Sequence, residues 1–200
     1  MKKIIYFSLL LAFVSNSNFT SAQLFQQDKH NISIGYGAGN LAQALMKDAV
    51  SFDNTTTLKS LGPLFVKYEY AIDPHVGIGV NYAYMKNTIS GRTDLNANAE
   101  LSRSTYSVLA RVNFHMGKSN VVDPYIGIGF GLRQVNWKYT DDDNNPDNDE
   151  NYWDASLTNI FPLGMDLTIG MRVHPVPEVG FYLEIGAAKG IVQGGVSVNL

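Results

Sequence analysis

The sequence predicts an all-β chain that folds as an eight-stranded antiparallel up-and-down β-barrel. Three observations support this prediction: eight segments in which apolar residues alternate with small or polar ones, short turns that alternate with long polar loops, and a secretory leader. A period of two residues is typical of a β-strand with two different faces. The count of eight agrees with the even strand numbers of bacterial membrane barrels.

The first element is the leader. Lys2 and Lys3 precede an apolar run over residues 4–14, and Thr20-Ser21-Ala22 offers small residues for cleavage. This order is typical of a signal peptide, and the run is shorter than the roughly 20 residues of a membrane-spanning helix. We predict a signal peptide over residues 1–22 and a single barrel domain over residues 23–200.

Five strand candidates follow. The first four, residues 31–38, 64–72, 76–84 and 106–114, alternate between apolar and small or polar residues. The fifth runs from residue 126 to 139, with apolar residues at even positions up to Leu132 and at odd positions from Val135 onward. We predict a β-bulge near Gln134 to explain this change of phase.

The sixth candidate, residues 161–173, alternates most strictly. Its apolar side consists of Phe161, Leu163, Met165, Leu167, Ile169, Met171 and Val173. Its other side is small or charged, whereas a water-facing sheet normally carries Lys, Glu and Thr. With residues 179–186 and 192–200, the pattern predicts strands whose apolar faces meet lipid and whose polar faces line a closed lumen.

The connections agree with a barrel that crosses a membrane. Residues 73–75, 117–123 and 174–178 form short turns, and residues 39–60, 87–101 and 140–155 form long polar loops. The hairpin at residues 188–190 is tight and departs from this rule. Short turns and long loops lie on the periplasmic and extracellular sides of outer-membrane barrels, respectively.

Aromatic residues are predicted to form belts at the two membrane interfaces. The proposed outer belt contains Tyr82, Tyr84, Trp137 and Tyr139, and the inner belt contains Tyr70, Phe114 and Tyr125.

Residues 123–131, Asp-Pro-Tyr-Ile-Gly-Ile-Gly-Phe-Gly, resemble a strand start found in small outer-membrane barrels. On this motif the chain is similar to the families around OmpA, OmpX and OmpW, including porin-like members from Bacteroidota. The resemblance implies an outer-membrane location and contact with lipid, lipopolysaccharide and the barrel-assembly machinery. One departure is Leu200, because such barrels commonly end in an aromatic residue that this machinery reads; we expect a less efficient assembly signal and an unchanged fold.

Seven charged side chains are predicted to face the lumen: Lys67, Glu69, Arg111, Arg133, Asp166, Arg172 and Glu184. An eight-stranded barrel is only wide enough for its own side chains to fill it. Buried charges must pair, because an unpaired charge is costly. We therefore expect a lumenal ion-pair network, with Lys67, Arg111, Asp166 and Glu184 near mid-height.

The sequence indicates neither an enzyme nor a cofactor. His30, His75, His115 and His174 map to the rim of the short turns, whereas small barrels that modify lipid A use a histidine near the outer leaflet. Gly-x-Ser-x-Gly and His-Glu-x-x-His motifs are absent. Because the chain has no cysteine, thiol catalysis and disulfides are excluded.

Residues 141–150 carry the densest charge of the chain. Asp141, Asp143 and Asp149 are weak Ca²⁺ candidates, since carboxylates suit this ion. Pro146 stands where an EF-hand loop needs glycine, so a solvated acidic loop is favoured.

These observations predict an outer-membrane barrel with a filled lumen, a structural or surface-interaction role, and long loops that contact an extracellular ligand. One alternative is a narrow channel for a small hydrophobic or ionic solute. Another is a secreted lipocalin-like barrel, with its apolar face turned inward around a ligand. The net charge of −3 gives no reason to expect nucleic acid.

Overall fold

The computed structural model describes residues 24–39, 57–92, 98–141 and 162–200. These residues form eight strands: β1 (His30–Ala38), β2 (Thr57–Asp73), β3 (Val76–Arg92), β4 (Asn98–His115), β5 (Val122–Asp141), β6 (Leu163–Val173), β7 (Val179–Ala187) and β8 (Val192–Asn199). Each strand pairs antiparallel with the next, and β8 pairs with β1 to close the barrel. The predicted eight-stranded up-and-down barrel is confirmed.

The apolar side chains face outward. In β6, Met165 is 73% exposed whereas the neighbouring Asp166 is 4% exposed, and this alternation runs along the whole strand. The exposed apolar residues of the other strands continue the same outer band. The lipocalin-like alternative, which needed the apolar face inside, is therefore wrong.

The two ends of the barrel differ. We call the end with the short connections 74–75, 116–121 and 174–178 the turn end, and the opposite end, which includes the hairpin 188–191, the loop end. Strands β2 to β5 have 17 to 20 residues, whereas β1, β6, β7 and β8 have 8 to 11. The wall formed by β2 to β5 therefore rises higher at the loop end.

The high wall shortens one predicted loop. We predicted a connection over residues 87–101, but the β3–β4 ladder continues from Lys86↔Ser104 to Arg92↔Asn98. Only residues 93–97 separate the two strands. The prediction failed because polar residues continue the strands beyond the lipid, where no apolar face is required.

The predicted bulge near Gln134 is also wrong. The β4–β5 ladder runs without a register shift from Ala99↔Asp141 to His115↔Tyr125. The irregularities instead lie in the β2–β3 ladder, at Leu61/Leu64 and at Ala71/Asp73. The first includes Gly62, whose φ of +89° favours glycine.

Two predicted belt residues point inward. Tyr125 is 1% exposed and lies inside the barrel. Trp137 is on the lumen-facing side of β5, where the Arg103 guanidinium lies 5.5 Å from its ring centroid. The change of phase in the sequence therefore marks the part of β5 that extends above its pairing with β6, which ends at Leu132.

Within the described ranges, no helix has the length and apolar character needed to span a membrane. The predicted signal peptide, Phe161 and most of the acidic segment lie outside the described residues.

Candidate functional site in the barrel lumen

Glu184 on β7 is the point at which donors from three other strands meet. Its Oε1 lies 2.8 Å from the Nζ of Lys67 and 3.0 Å from the Nη2 of Arg111. The hydroxyl of Tyr125 donates to the same oxygen at 2.7 Å. Because these residues belong to β2, β4 and β5, the contacts join four strands across the lumen.

Arg111 extends these contacts to β6. Its Nη1 lies 3.5 Å from the Oδ2 of Asp166, and its Nη2 donates to the Thr168 hydroxyl at 2.6 Å. Its Nε donates to the Asn113 amide oxygen at 2.8 Å. Asn81 on β3 donates to Asp166 Oδ2 at 2.9 Å. The guanidinium is thus held on several sides in one orientation.

The glycines of β5 make room for these charged side chains. A Cβ at Gly129 would lie 2.5 Å from Asp166 Oδ1, and a Cβ at Gly127 would overlap the Arg111 guanidinium. A side chain at either position would displace the groups that form the ion pairs. The alternating glycines therefore serve the packing of the lumen as well as the strand pattern.

A second cluster lies nearer the turn end. The Nη2 of Arg172 contacts Glu69 Oε2, and His115 Nε2 lies 2.7 Å from Glu69 Oε1. The other ring nitrogen of His115 lies 2.7 Å from Asp123 Oδ2. Phe25, which precedes β1, stacks on the His115 ring with centroids 3.5 Å apart and an interplanar angle of 7°. Phe25 thereby covers the cluster at the turn end.

Opposite charges are nearly balanced in these two clusters. Their cations are Lys67, Arg111 and Arg172, and their carboxylates are Glu69, Asp123, Asp166 and Glu184. Each ring nitrogen of His115 lies 2.7 Å from a carboxylate oxygen, so a protonated His115 would donate to both and would supply a fourth positive charge.

Arg133 differs from the other six predicted lumenal charges. It lies on the lumen-facing side of β5 but is exposed at the loop end. Across the described ranges it forms an ion pair with no carboxylate. The sequence pattern predicts on which side of β5 Arg133 lies, but not its height along the barrel. In the structure, Arg133 lies above the buried network.

A lysine that we did not predict reaches the same height as Arg133. Lys189, in the hairpin between β7 and β8, donates from Nζ to the carbonyl oxygens of Ala83 at 2.7 Å and Thr105 at 3.2 Å. Burial and, to a smaller extent, the nearby charges of Arg133 and Arg103 together lower the pKa of Lys189 to about 7. The loop end therefore carries three neighbouring basic side chains, and Lys189 is mostly protonated below about pH 7.

The weak Ca²⁺ candidates Asp141, Asp143 and Asp149 stay a prediction, because the structure does not describe their side chains. Asp143 and Asp149 lie outside the described residues, and of Asp141 only the backbone is described, at the end of β5. Elsewhere in the described chain, no cluster of His, Asp and Glu suits a metal ion.

Several residues of these clusters were missed. The sequence pattern predicts the correct rim for His115 but no ion cluster, and it predicts a belt position for Tyr125. It predicts no site role for Asp123, Asn81 or Phe25. The position of Asp123, two residues before Tyr125 on the lumen-facing side of β5, was the available signal; for Phe25 the sequence offered none.

A model of the outer membrane protein beta-barrel domain matches residues 7–190. No curated protein matches the chain in sequence.

Three solved structures are similar to this chain in fold and distant in sequence. Ail, the attachment invasion locus protein of Yersinia pestis, is 14% identical, with a TM-score of 0.41 over 87% of this chain and 96% of Ail. The N-terminal β-barrel domain of Pseudomonas aeruginosa OprF is 10% identical, with a TM-score of 0.41 over 87% of this chain and 98% of that domain. OprG from Pseudomonas aeruginosa is 12% identical, with a TM-score of 0.44 over 88% and 97%. These distant similarities carry no argument about function.

Proposed function

Because this chain belongs to the outer membrane protein beta-barrel domain family, we propose that it is a non-conducting structural barrel whose loop end serves surface interactions. The observation that carries this proposal is the ion-pair network formed by Lys67, Arg111, Asp166 and Glu184. These side chains connect opposite walls of the barrel at mid-height. A solute could pass only if their contacts were broken.

The energetics favour a closed lumen. All four side chains of this network are at most 9% exposed. Separating one partner of a buried ion pair costs about 3–5 kcal/mol, because the other charge is left uncompensated. Phe25 and His115 add a second layer of packed side chains at the turn end. Two filled layers in series oppose the passage of ions.

The outer surface fits the same proposal. The exposed apolar band would contact membrane lipid and the acyl chains of lipopolysaccharide, as barrel strands do. Cleavage after Ala22 would release the barrel for insertion by the assembly machinery, and the long loops would contact an extracellular ligand. We propose no enzymatic role, because the four histidines lie at the turn end, away from the outer leaflet.

Planar-bilayer recordings test this proposal. The wild-type protein is expected to give no conductance steps, whereas Glu184→Ala should give steps because it removes the residue that holds Lys67 and Arg111. Glu184→Gln keeps the side-chain volume and serves as a second variant if Glu184→Ala does not fold. Glu178→Ala, an exposed change in a turn, is the matched control and should be silent.

Uniform conductance steps from the wild-type protein would contradict the proposal. They would establish the narrow channel for a small solute in its place.

A further inference from the structure

Three basic side chains meet at the loop end of the lumen, and we call Arg103, Arg133 and Lys189 the mouth cluster. Arg133 pairs in register with Ser107, and Arg103 lies four residues earlier on β4, with the same side of the strand facing the lumen. Lys189 Nζ contacts the carbonyl of Thr105, which lies between these two positions of β4. The hairpin and the high wall thus bring the three charges together.

The mouth cluster has hydrogen-bond donors that the protein does not use. An ammonium has three donors, and Lys189 directs Nζ at two carbonyl oxygens. The Nη1 of Arg103 is buried and has no hydrogen-bond partner in the described part of the chain. Arg133 is exposed, and over the same ranges none of the three forms an ion pair with a carboxylate. Such donors favour an anion with several oxygens.

A cavity of about 230 Å³ lies beside the cluster. Arg133 and Lys189 line it together with Ser107, Asn81 and Asp166. Asp166 is the one carboxylate among the residues that line it. Its Oδ2 is engaged by Asn81 and by Arg111, whereas its Oδ1 has no hydrogen-bond partner among the described residues. The cavity is therefore positive on the side of Arg133 and Lys189. Its volume is below the roughly 300–1,000 Å³ of pockets for drug-sized ligands, which favours a small occupant.

We propose that the mouth cluster is a binding site for a small soluble oxyanion, such as a phosphate or a phosphate or sulfate monoester. The oxyanion binds between Lys189 and Arg133, with Arg103 as the third cation. The inference rests on the proposed closed lumen, because the filled layers below retain the anion at the mouth.

The position of the site argues against a lipid headgroup. Arg103 and Arg133 face the lumen, whereas lipid lies against the outer wall. A phosphate attached to a lipid would have to cross the rim while its acyl chains stayed outside. A soluble anion carries no acyl chains and does not have to cross the rim in this way.

The test uses the folded protein in uncharged maltoside micelles. Inorganic phosphate is titrated at constant ionic strength and at a pH below 7, where Lys189 is mostly protonated. The backbone amide signals of residues 188–191 are followed by NMR. We expect a saturable shift of these signals. Arg133→Gln and Lys189→Met should each weaken the affinity about tenfold or more, as expected for the loss of a charged hydrogen-bond partner.

The matched control is Lys138→Gln. Lys138 is exposed on the same strand as Arg133 but on its opposite side, so the variant loses the same charge without touching the site. Its affinity should stay within about twofold of wild type, because exposed charges are screened. Heat-modifiable migration on a gel identifies variants that have folded.

Three results would overturn the site: no saturable shift in the wild-type protein, equal affinity in Arg133→Gln and Lys138→Gln, or a shift caused only by micelles that contain phosphatidic acid. A conducting wild-type protein would overturn the proposed function alone, because the titration reports binding at the hairpin whatever the conductance.

Discussion

Leu167 lies on the lipid side of β6, where it pairs with Ile128 of β5 and is 55% exposed. It is close to the middle of the strand Leu163–Val173, so Leu167→Arg places a charge near the centre of the apolar band. An arginine at the midplane of a barrel costs about 2–4 kcal/mol, and the cost falls to about 0–1 kcal/mol near the interfaces. Met165 lies closer to the loop end of the same strand, so Met165→Arg should cost less than Leu167→Arg.

Urea-induced unfolding of the barrel in lipid vesicles measures both costs, with heat-modifiable migration as a check on folding. Thr168→Ser is the control, because Thr168 is buried in the lumen and the change keeps the hydroxyl that accepts from Arg111. Equal stability of Leu167→Arg and Thr168→Ser would refute the assignment of the outer face to lipid. A larger cost at Met165 than at Leu167 would refute the depth that we assign to β6.

Three further predictions concern the two ends of the barrel. Glu69→Gln leaves the buried Arg172 without its carboxylate and should destabilise the barrel by about 3–5 kcal/mol, measured by the same unfolding assay; an unchanged midpoint would contradict the pairing. Phe25→Ala should cost about 1.5–3 kcal/mol from lost burial, and a neutral effect would show that the ring does not cover the turn end. Lys189 has a native pKa of about 7 against its ordinary 10.5, so the unfolded chain binds more protons between these values and stability should rise with pH across that window. Arg133→Gln should raise the pKa of Lys189 and reduce this rise, as NMR titration of the lysine side chain would show; an unchanged pKa would contradict their proximity.

The sequence predicts which side of each strand faces outward, because lipid and the lumen place different requirements on the two sides. Lipid requires apolar residues at every second position, and the narrow lumen requires small or paired polar residues at the others. This rule assigned Lys67, Asp166 and Glu184 to the same side that the structure shows. The rule does not apply in the upper part of β5, where both sides of the strand meet water. It therefore assigns Trp137 to the wrong face.

The partners within the lumen could not be predicted in the same way. Arg172 contacts Glu69, 103 residues away in the chain, on a strand that is not its neighbour. Such a contact depends on the stagger of all the strands between them, and a sequence pattern fixes the side of each strand but not its height. The same lack of height information hid the difference between the buried Arg111 and the exposed Arg133.

The unequal strand lengths give the loop end a slanted edge. In the described part of the chain, Arg103 and Arg133 stand on the tall side, and Lys189 projects from the low hairpin opposite them. Among the described strands, the two arginines therefore face the interior of the barrel and the low hairpin, and the outer side of β4 and β5 does not present them. A solute at the mouth meets these basic side chains before it reaches the buried ion pairs below them.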